Sequence, residues 1–227
     1  MASGLAQEPE RGLWLGPQRL DLHRADLTTF VEHALRLDDS AVIRIRAGSA
    51  GLVRVWAATG FDVLAGRVVA GRVRPGDLSV AADGLARGLA VADDSGYVDP
   101  GFAMDSAWRG GLPPESGFEH LDDVPARVIR ELAQRGAQLV REHSGSHGPP
   151  ASLLDQEIVE VRSGDIAAGL PMRCVFALTA MGFLPSGREP IDDGECVRVR
   201  VSAGWLRLDA RFGSVYRHRG HAALLLG

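Results

Sequence analysis

Residues Ser40 to Ala57 read SAVIRIRAGSAGLVRVWA, and residues Gly194 to Ala210 read GECVRVRVSAGWLRLDA. With Gly48 as a one-residue insertion, Arg44 meets Arg198, Arg46 meets Arg200 and Arg54 meets Arg207. Ser49-Ala50-Gly51 meets Ser202-Ala203-Gly204, and Ala57 meets Ala210. Each stretch alternates aliphatic and basic residues, breaks at a Ser-Ala-Gly turn and alternates again, which is the pattern of a hairpin with one apolar and one polar face. Upstream, LDLHRADL (Leu20 to Leu27) lies over VEVRSGDI (Val159 to Ile166) with the same order of apolar, acidic, apolar, basic and Asp. A repeat at this separation indicates a duplicated supersecondary unit.

Worked outward from the hairpins, each copy reads as a βαβββ unit. In the first, Leu20 and Leu22 suggest a short strand and Asp26 a helix N-cap. The helix carries Leu27, Phe30, Val31 and Ala34, and the hairpin is followed by a third strand over Phe61–Val69. In the second, Val159 and Val161 mark the strand and Asp165 precedes the helix, whose regular part begins near Pro171. A third strand follows at Gly213–Arg217. The expected fold is α+β: two βαβββ units about a pseudo-twofold, joined by a helical and loop-rich insert. The expected boundaries are a loose leader at 1–17, the first unit at 18–70, the insert at 71–150 and the second unit at 151–227.

Within the insert, Asp77–Ala81 reads as strand and Asp83–Val91 as a helix weakened by Gly84 and Gly88. Residues 93–123 are rich in Gly, Pro and aromatics, too aromatic for a flexible linker. Phe102, Trp108, Leu112 and Phe118 are therefore expected to pack, because burying them is the evident compensation for ordering the loop. Asp123 is a candidate cap for an amphipathic helix that Gly136 would break. His143–Pro150 reads as a hinge.

Composition bounds the chemistry. The 227 residues carry 45% hydrophobic and 24% charged side chains and a formal net charge of −4, ordinary for a globular protein. There is no Lys and no Asn, so all 25 basic residues other than His are Arg. Without Lys there is no Schiff-base chemistry, no Walker A loop and no kinase-type ATP-pairing lysine. Without Asn there is no N-glycosylation acceptor. Two cysteines, Cys174 and Cys196, cannot furnish a four-Cys zinc site. No apolar run approaches the length of a membrane span, and no signal-peptide core is evident. The expected location is cytoplasmic.

Arg44, Arg46 and Arg54 can share one face of the first hairpin, with Leu52 and Trp56 in phase. Arg198, Arg200 and Arg207 repeat this with Trp205. Arginine and aromatic side chains on an open sheet face can hold single-stranded nucleic acid by phosphate contact and base stacking. The same pattern arises when a Lys-free protein solvates the outer face of a half-covered sheet. Facing arginines then need intervening acids, and Asp209 is placed to supply one.

The insert segment 97–120, with Asp99, Asp105, Trp108, Arg109, Glu115 and His120, mixes aromatic walls with both charge signs. Asp105 and His120 are its candidate acid/base residues. No G-x-S-x-G, H-E-x-x-H or G-x-G-x-x-G motif accompanies them. Acid pairs such as Asp93-Asp94, Asp122-Asp123 and Asp192-Asp193 suit turns and caps. The pairs His143/His147 and His218/His221 lack the three or four convergent ligands a metal needs. No cofactor or metal is expected.

The segment WRGGLPPESGFEHLDDVPARVIRELAQRG (Trp108 to Gly136) resembles one in an uncharacterised family of actinobacterial proteins. That resemblance implies no catalytic residue. The expected role is a non-catalytic ligand-binding or protein-interaction protein acting on a small molecule or a protein. Trp108, Arg109 and the six hairpin arginines are its candidate contacts. A homodimer is compatible with this reading, nucleic acid is disfavoured by the charge balance, and no membrane is involved. The alternatives are a small hydrolase or isomerase using the 97–120 loop, and a single-stranded nucleic-acid binder using the Arg/Trp faces.

Overall fold

The computed structural model describes residues 10–143, 151–185 and 191–219. The chain is α+β and divides into two compact units. Unit 1 comprises residues 1–56 and 68–109, and unit 2 residues 57–67 and 110–227.

Unit 1 begins with strand β1 (Gly12–Leu15), followed by helix α1 (Leu20–Leu37). Strands β2 (Val42–Ala47), β3 (Leu52–Ala58) and β4 (Leu64–Arg74) come next. Then come β5 (Asp77–Ala81), helix α2 (Ala82–Val91) and the two-residue strand β6 (Tyr97–Val98). The strands hydrogen-bond in the order β5-β2-β3-β4, with β1 joining β4 and β6. Alternation sorts the faces: Ile43 and Ile45 are fully buried, while Arg44 and Arg46 point away from that core. On α1, Leu27, Phe30, Val31 and Ala34 are buried at helical spacing, and the helix packs against α2.

Unit 2 contains β7 (Glu119–Pro125), α3 (Ala126–His143) and the one-turn helix α4 (Ala151–Leu154). The hairpin β8 (Glu157–Ser163) and β9 (Ile166–Pro171) leads into α5 (Met172–Ala180). Strands β10 (Cys196–Val201), β11 (Trp205–Ala210) and β12 (Gly213–His218) complete it. The order is β12-β11-β10-β7, every pair antiparallel, and β8 and β9 form a separate two-stranded sheet. Val197, Val199 and Leu208 are fully buried on the inner face, and α3 packs against α5.

The βαβββ order recurs as β1-α1-β2-β3-β4 and as β9-α5-β10-β11-β12. The upstream register differs from the sequence alignment. Leu20 and Leu22 open helix α1 instead of forming a strand, and Asp26 lies inside it. The helix is entered through Arg19, in the left-handed conformation at φ 60°. The strand before it, β1, occupies part of the expected leader. In the second copy Asp165 sits in the β8–β9 turn, so α5 is preceded by β9 with Pro171 at its N-cap. Asp123 lies within β7 and not at a helix cap.

Two glycines expected to weaken helices instead permit close packing. A Cβ at Gly88 would fall 1.9 Å from the backbone oxygen of Asp99, and one at Gly136 would fall 2.9 Å from the ring tip of Phe176. Helix α3 therefore continues through Gly136. The expected hinge lies, after His143, outside the described residues.

Candidate functional site

In the first hairpin the Arg44 Nε and Nη2 donate to the two carboxylate oxygens of Asp77, both at 2.8 Å. Asp77 stands on β5 opposite Arg46, two pairs along from Ser79, which faces Arg44 in the β2–β5 register. A bidentate guanidinium–carboxylate pair fixes orientation as well as charge. It holds the Asp77 carboxyl below its usual range, hydrogen bonding by Arg44 being the main cause, and holds the Arg44 guanidinium above its own. Arg46 reaches the same carboxylate at 3.9 Å. The Trp108 ring lies 5.8 Å from the Arg44 guanidinium carbon, within cation–π range. The Arg54 side chain runs beside Gly48.

The loop that delivers Trp108 also finishes the sheet edge. Ala103 bridges to Val80, the Met104 N–H donates to the Ser79 carbonyl at 2.7 Å, and Asp105 accepts the Ser79 N–H at 2.6 Å. Asp105 thus satisfies a backbone donor that β5 would otherwise present at an open edge.

The second hairpin solves the same problem differently. Arg200 faces Arg207 across β10–β11, a repulsive pair if left alone. Asp209, two residues along the same face of β11, accepts from Arg207 Nε at 2.7 Å and pairs with Arg200 Nε at 3.4 Å. It also accepts from the Ser214 hydroxyl. The Arg207 guanidinium carbon lies 5.5 Å from the Phe118 ring and 5.3 Å from the Tyr216 ring. Phe118 in turn packs edge-on against Tyr216. Arg198 pairs with Asp123 at 3.3 Å. His120 Nε2 lies 2.9 Å from the same Asp123 carboxylate. His120 first, then Arg198, hold the Asp123 carboxyl below its usual range.

Arg44, Arg46, Arg198, Arg200 and Arg207 are thus met by carboxylates, and Arg44 and Arg207 each lie against an aromatic side chain from residues 108–118. The histidine expected to work with Asp105 has Asp123 as its acid partner and is half exposed. Arg109 is exposed. Of the four loop residues expected to pack, Trp108, Leu112 and Phe118 are half-buried, but Phe102 is 88% exposed. The ordering of the loop comes from its backbone bonds to β5 and from Trp108, which leaves Phe102 unnecessary to it.

Asp77 and Tyr216 were not singled out by sequence, because neither lies at a repeated position. A further cluster was also missed. Arg173, nearly buried on α5, donates to Asp155 at 3.0 Å and to the Phe61 carbonyl at 2.7 Å, and Arg217 donates to Asp155 at 3.0 Å. Beside it a cavity of about 400 Å³ is lined by Glu157, Glu160, Arg217, His218 and Arg219 among others. No group of three metal-capable side chains occurs among the described residues. Cys174 is fully buried, and burial pushes its thiol up to about 12. That leaves it a poor nucleophile. No helix of the described residues is long and apolar enough to cross a membrane.

Residues 9–110 match a family model described as Domain of unknown function (DUF8010), and residues 113–222 match Domain of unknown function (DUF8185). The chain carries two uncharacterised domains. No curated protein matches it. Its fold is similar to that of solved DNA polymerase sliding clamps. The DNA polymerase III beta chain from Streptococcus pneumoniae superposes with a TM-score of 0.55 at 11% identity, over 92% of this chain and 65% of that one. The sliding clamp from Bacillus subtilis gives 0.55 at 10% identity, over 92% and 64%. The DNA polymerase III subunit beta from Pseudomonas aeruginosa gives 0.54 at 12%, over 86% and 62%. The chain therefore spans less than two thirds of the length of these proteins, and at such identity the likeness concerns the fold.

Proposed function

We propose that this chain is a non-catalytic protein-interaction protein built on a sliding-clamp-like fold. The observation that carries this reading is the use of its charged groups. The residues best suited to chemistry, Arg44, Asp77, Asp105, His120, Asp123, Arg207 and Asp209, are engaged with one another or with backbone. The two expected acid/base residues have separate partners, Asp105 the Ser79 N–H and His120 the Asp123 carboxylate. The likeness in fold to DNA polymerase III beta subunits supports a role in assembly. The test is affinity purification of the tagged full chain from its source cells, with and without nuclease. A stoichiometric protein partner that survives nuclease is the expected result. Recovery of nucleic acid alone, lost with nuclease, would overturn it.

Association with nucleic acid is the second reading, favoured by the same fold likeness. The charge distribution weighs against it. Phosphate binding draws on concentrated unpaired cations, and here the net charge is −4 and Arg44, Arg46, Arg198, Arg200 and Arg207 are paired with acids. Among the long helices α3 alone has a clear excess of arginine: Arg127, Arg130, Arg135 and Arg141 against Glu131 and Glu142, a balance of +2 from four minus two.

A further inference from the structure

In unit 1 helix α2 is followed by a two-residue strand, whereas four strands follow α1 and three follow α5. The loop 99–104 lies along one side of α2. Gly88 brings the Asp99 backbone directly onto the helix. Beside that contact lies a groove of about 430 Å³, lined by Gly84, Arg87, Val91, Asp99, Phe102 and Met104 among others. Its apolar walls are open to solvent: Phe102 is 88% exposed, Val91 81% and Met104 38%. Phe102 and Val91 are the two most exposed large hydrophobic side chains among the described residues. An isolated exposed apolar side chain needs no explanation, but several grouped around one groove mark a contact surface.

We propose that this groove docks a short segment of a partner protein that carries two neighbouring large apolar side chains beside an Arg or Lys. Size selects the occupant. The three exposed side chains present on the order of 400 Å² together, well short of the roughly 800 Å² per partner of a stable protein–protein interface. A second copy of the chain is too large a partner for so small a patch, while a peptide of a few residues is covered by it. Charge selects the flank. Arg87 is paired with Asp83 at 2.7 Å, and Asp99 leaves a net negative rim that suits a basic neighbour. Phe102 and Val91 are the anchors' main contacts, and Met104 supplies a deformable wall.

The inference rests on the protein-interaction reading, and its test separates the two. The full chain is screened against a displayed library of random twelve-residue peptides, and enriched peptides are titrated by fluorescence anisotropy. Peptides with paired Leu, Ile, Phe or Met next to Arg or Lys are expected. Their affinity should fall at least tenfold in F102S and in V91S, and remain unchanged in F212S, which alters an exposed aromatic of unit 2. All three positions are exposed, and the circular dichroism of each variant is compared to confirm folding. Absence of enrichment, or equal binding by F102S, would overturn the groove as a peptide site. Sedimentation showing a dimer that F102S dissociates would overturn it too, with a second copy as occupant. If the tagged chain captures the same partners with F102S, only the groove assignment fails. If it captures no protein at all, the interaction reading fails first.

Discussion

In unit 1 Arg44 takes its carboxylate from a neighbouring strand, through both oxygens of Asp77. In unit 2 Arg207 takes it from its own strand, two residues along, and shares it with Arg200 and Ser214. The cover differs as well. Trp108 reaches Arg44 from the end of the loop that blunts β5, whereas Phe118 reaches Arg207 from the approach to β7 and packs edge-on against Tyr216. The repeated residues are the cations; Asp77, Trp108 and Phe118 lie outside the repeat, and Asp209 stands in the second copy where the first has Trp56. Duplication preserved the problem of a polar sheet face in a Lys-free chain, and each half reached its own solution.

The largest difference between the halves should appear at their helix glycines. At Gly88 the atom blocking a side chain is backbone, the Asp99 oxygen, which cannot move without displacing the loop. G88A should therefore destabilise by about 3 kcal/mol. At Gly136 the blocking atoms are the far ends of Met172 and Phe176, which can rotate. G136A should fall within about 1 kcal/mol of the wild type, since gained helix propensity offsets crowding. Urea unfolding measures both, and equal losses would break the comparison.

Next in size are the shared and unshared carboxylates. D209A removes the acceptor of Arg207 Nε and of the Ser214 hydroxyl and the ion-pair partner of Arg200, and should cost about 2 kcal/mol. D77A removes a pair whose members are 26% and 39% exposed, and solvent screening reduces its cost to about 1 kcal/mol. A double-mutant cycle of Arg207 with Asp209 should show larger coupling than one of Arg44 with Asp77.

A smaller effect sharpens the acid limb. Asp77 and Asp123 have folded pKa values below the ordinary 3.8. Their contribution is full above 3.8, where both folded and unfolded carboxyls are ionised. It is lost as pH falls through the lower folded values. D77N should flatten the stability profile below about pH 4, and a slope identical to wild type would contradict the pairing. Smallest in energy is the thiol contrast. Iodoacetamide should label half-exposed Cys196 in the native protein and spare Cys174 until unfolding.

The hairpins were legible because period-two alternation and the Ser-Ala-Gly break are local. The β5 strand and the start of α5 near Pro171 were legible for the same reason. The start of α1 was not, because LDLHRADL fits strand alternation over four residues and helix periodicity over eighteen, and packing against α2 decides in favour of the helix. Gly88 and Gly136 read as helix breakers because their benefit, close approach of distant residues, is invisible along the chain. Asp209 could be anticipated from its place beside Arg207. Asp77 could not, since its pairing with Arg44 depends on the β2–β5 register. Phe102 read as a packing residue by composition, and its exposure follows from a loop already anchored by Asp105 and Trp108.

The central claim is that the hairpin arginines are structural: Arg44, Arg46, Arg198, Arg200 and Arg207 pair with acids, and Arg44 and Arg207 lie against aromatic rings. Its most direct test is fluorescence-anisotropy titration of the full chain with single-stranded and duplex oligonucleotides at physiological salt. Binding no tighter than the roughly 10⁻⁴–10⁻⁶ M of non-specific association is predicted. Tighter binding that is lost when Arg44, Arg46, Arg198 and Arg200 are replaced by Ser would contradict the account and make the paired hairpins a nucleic-acid surface.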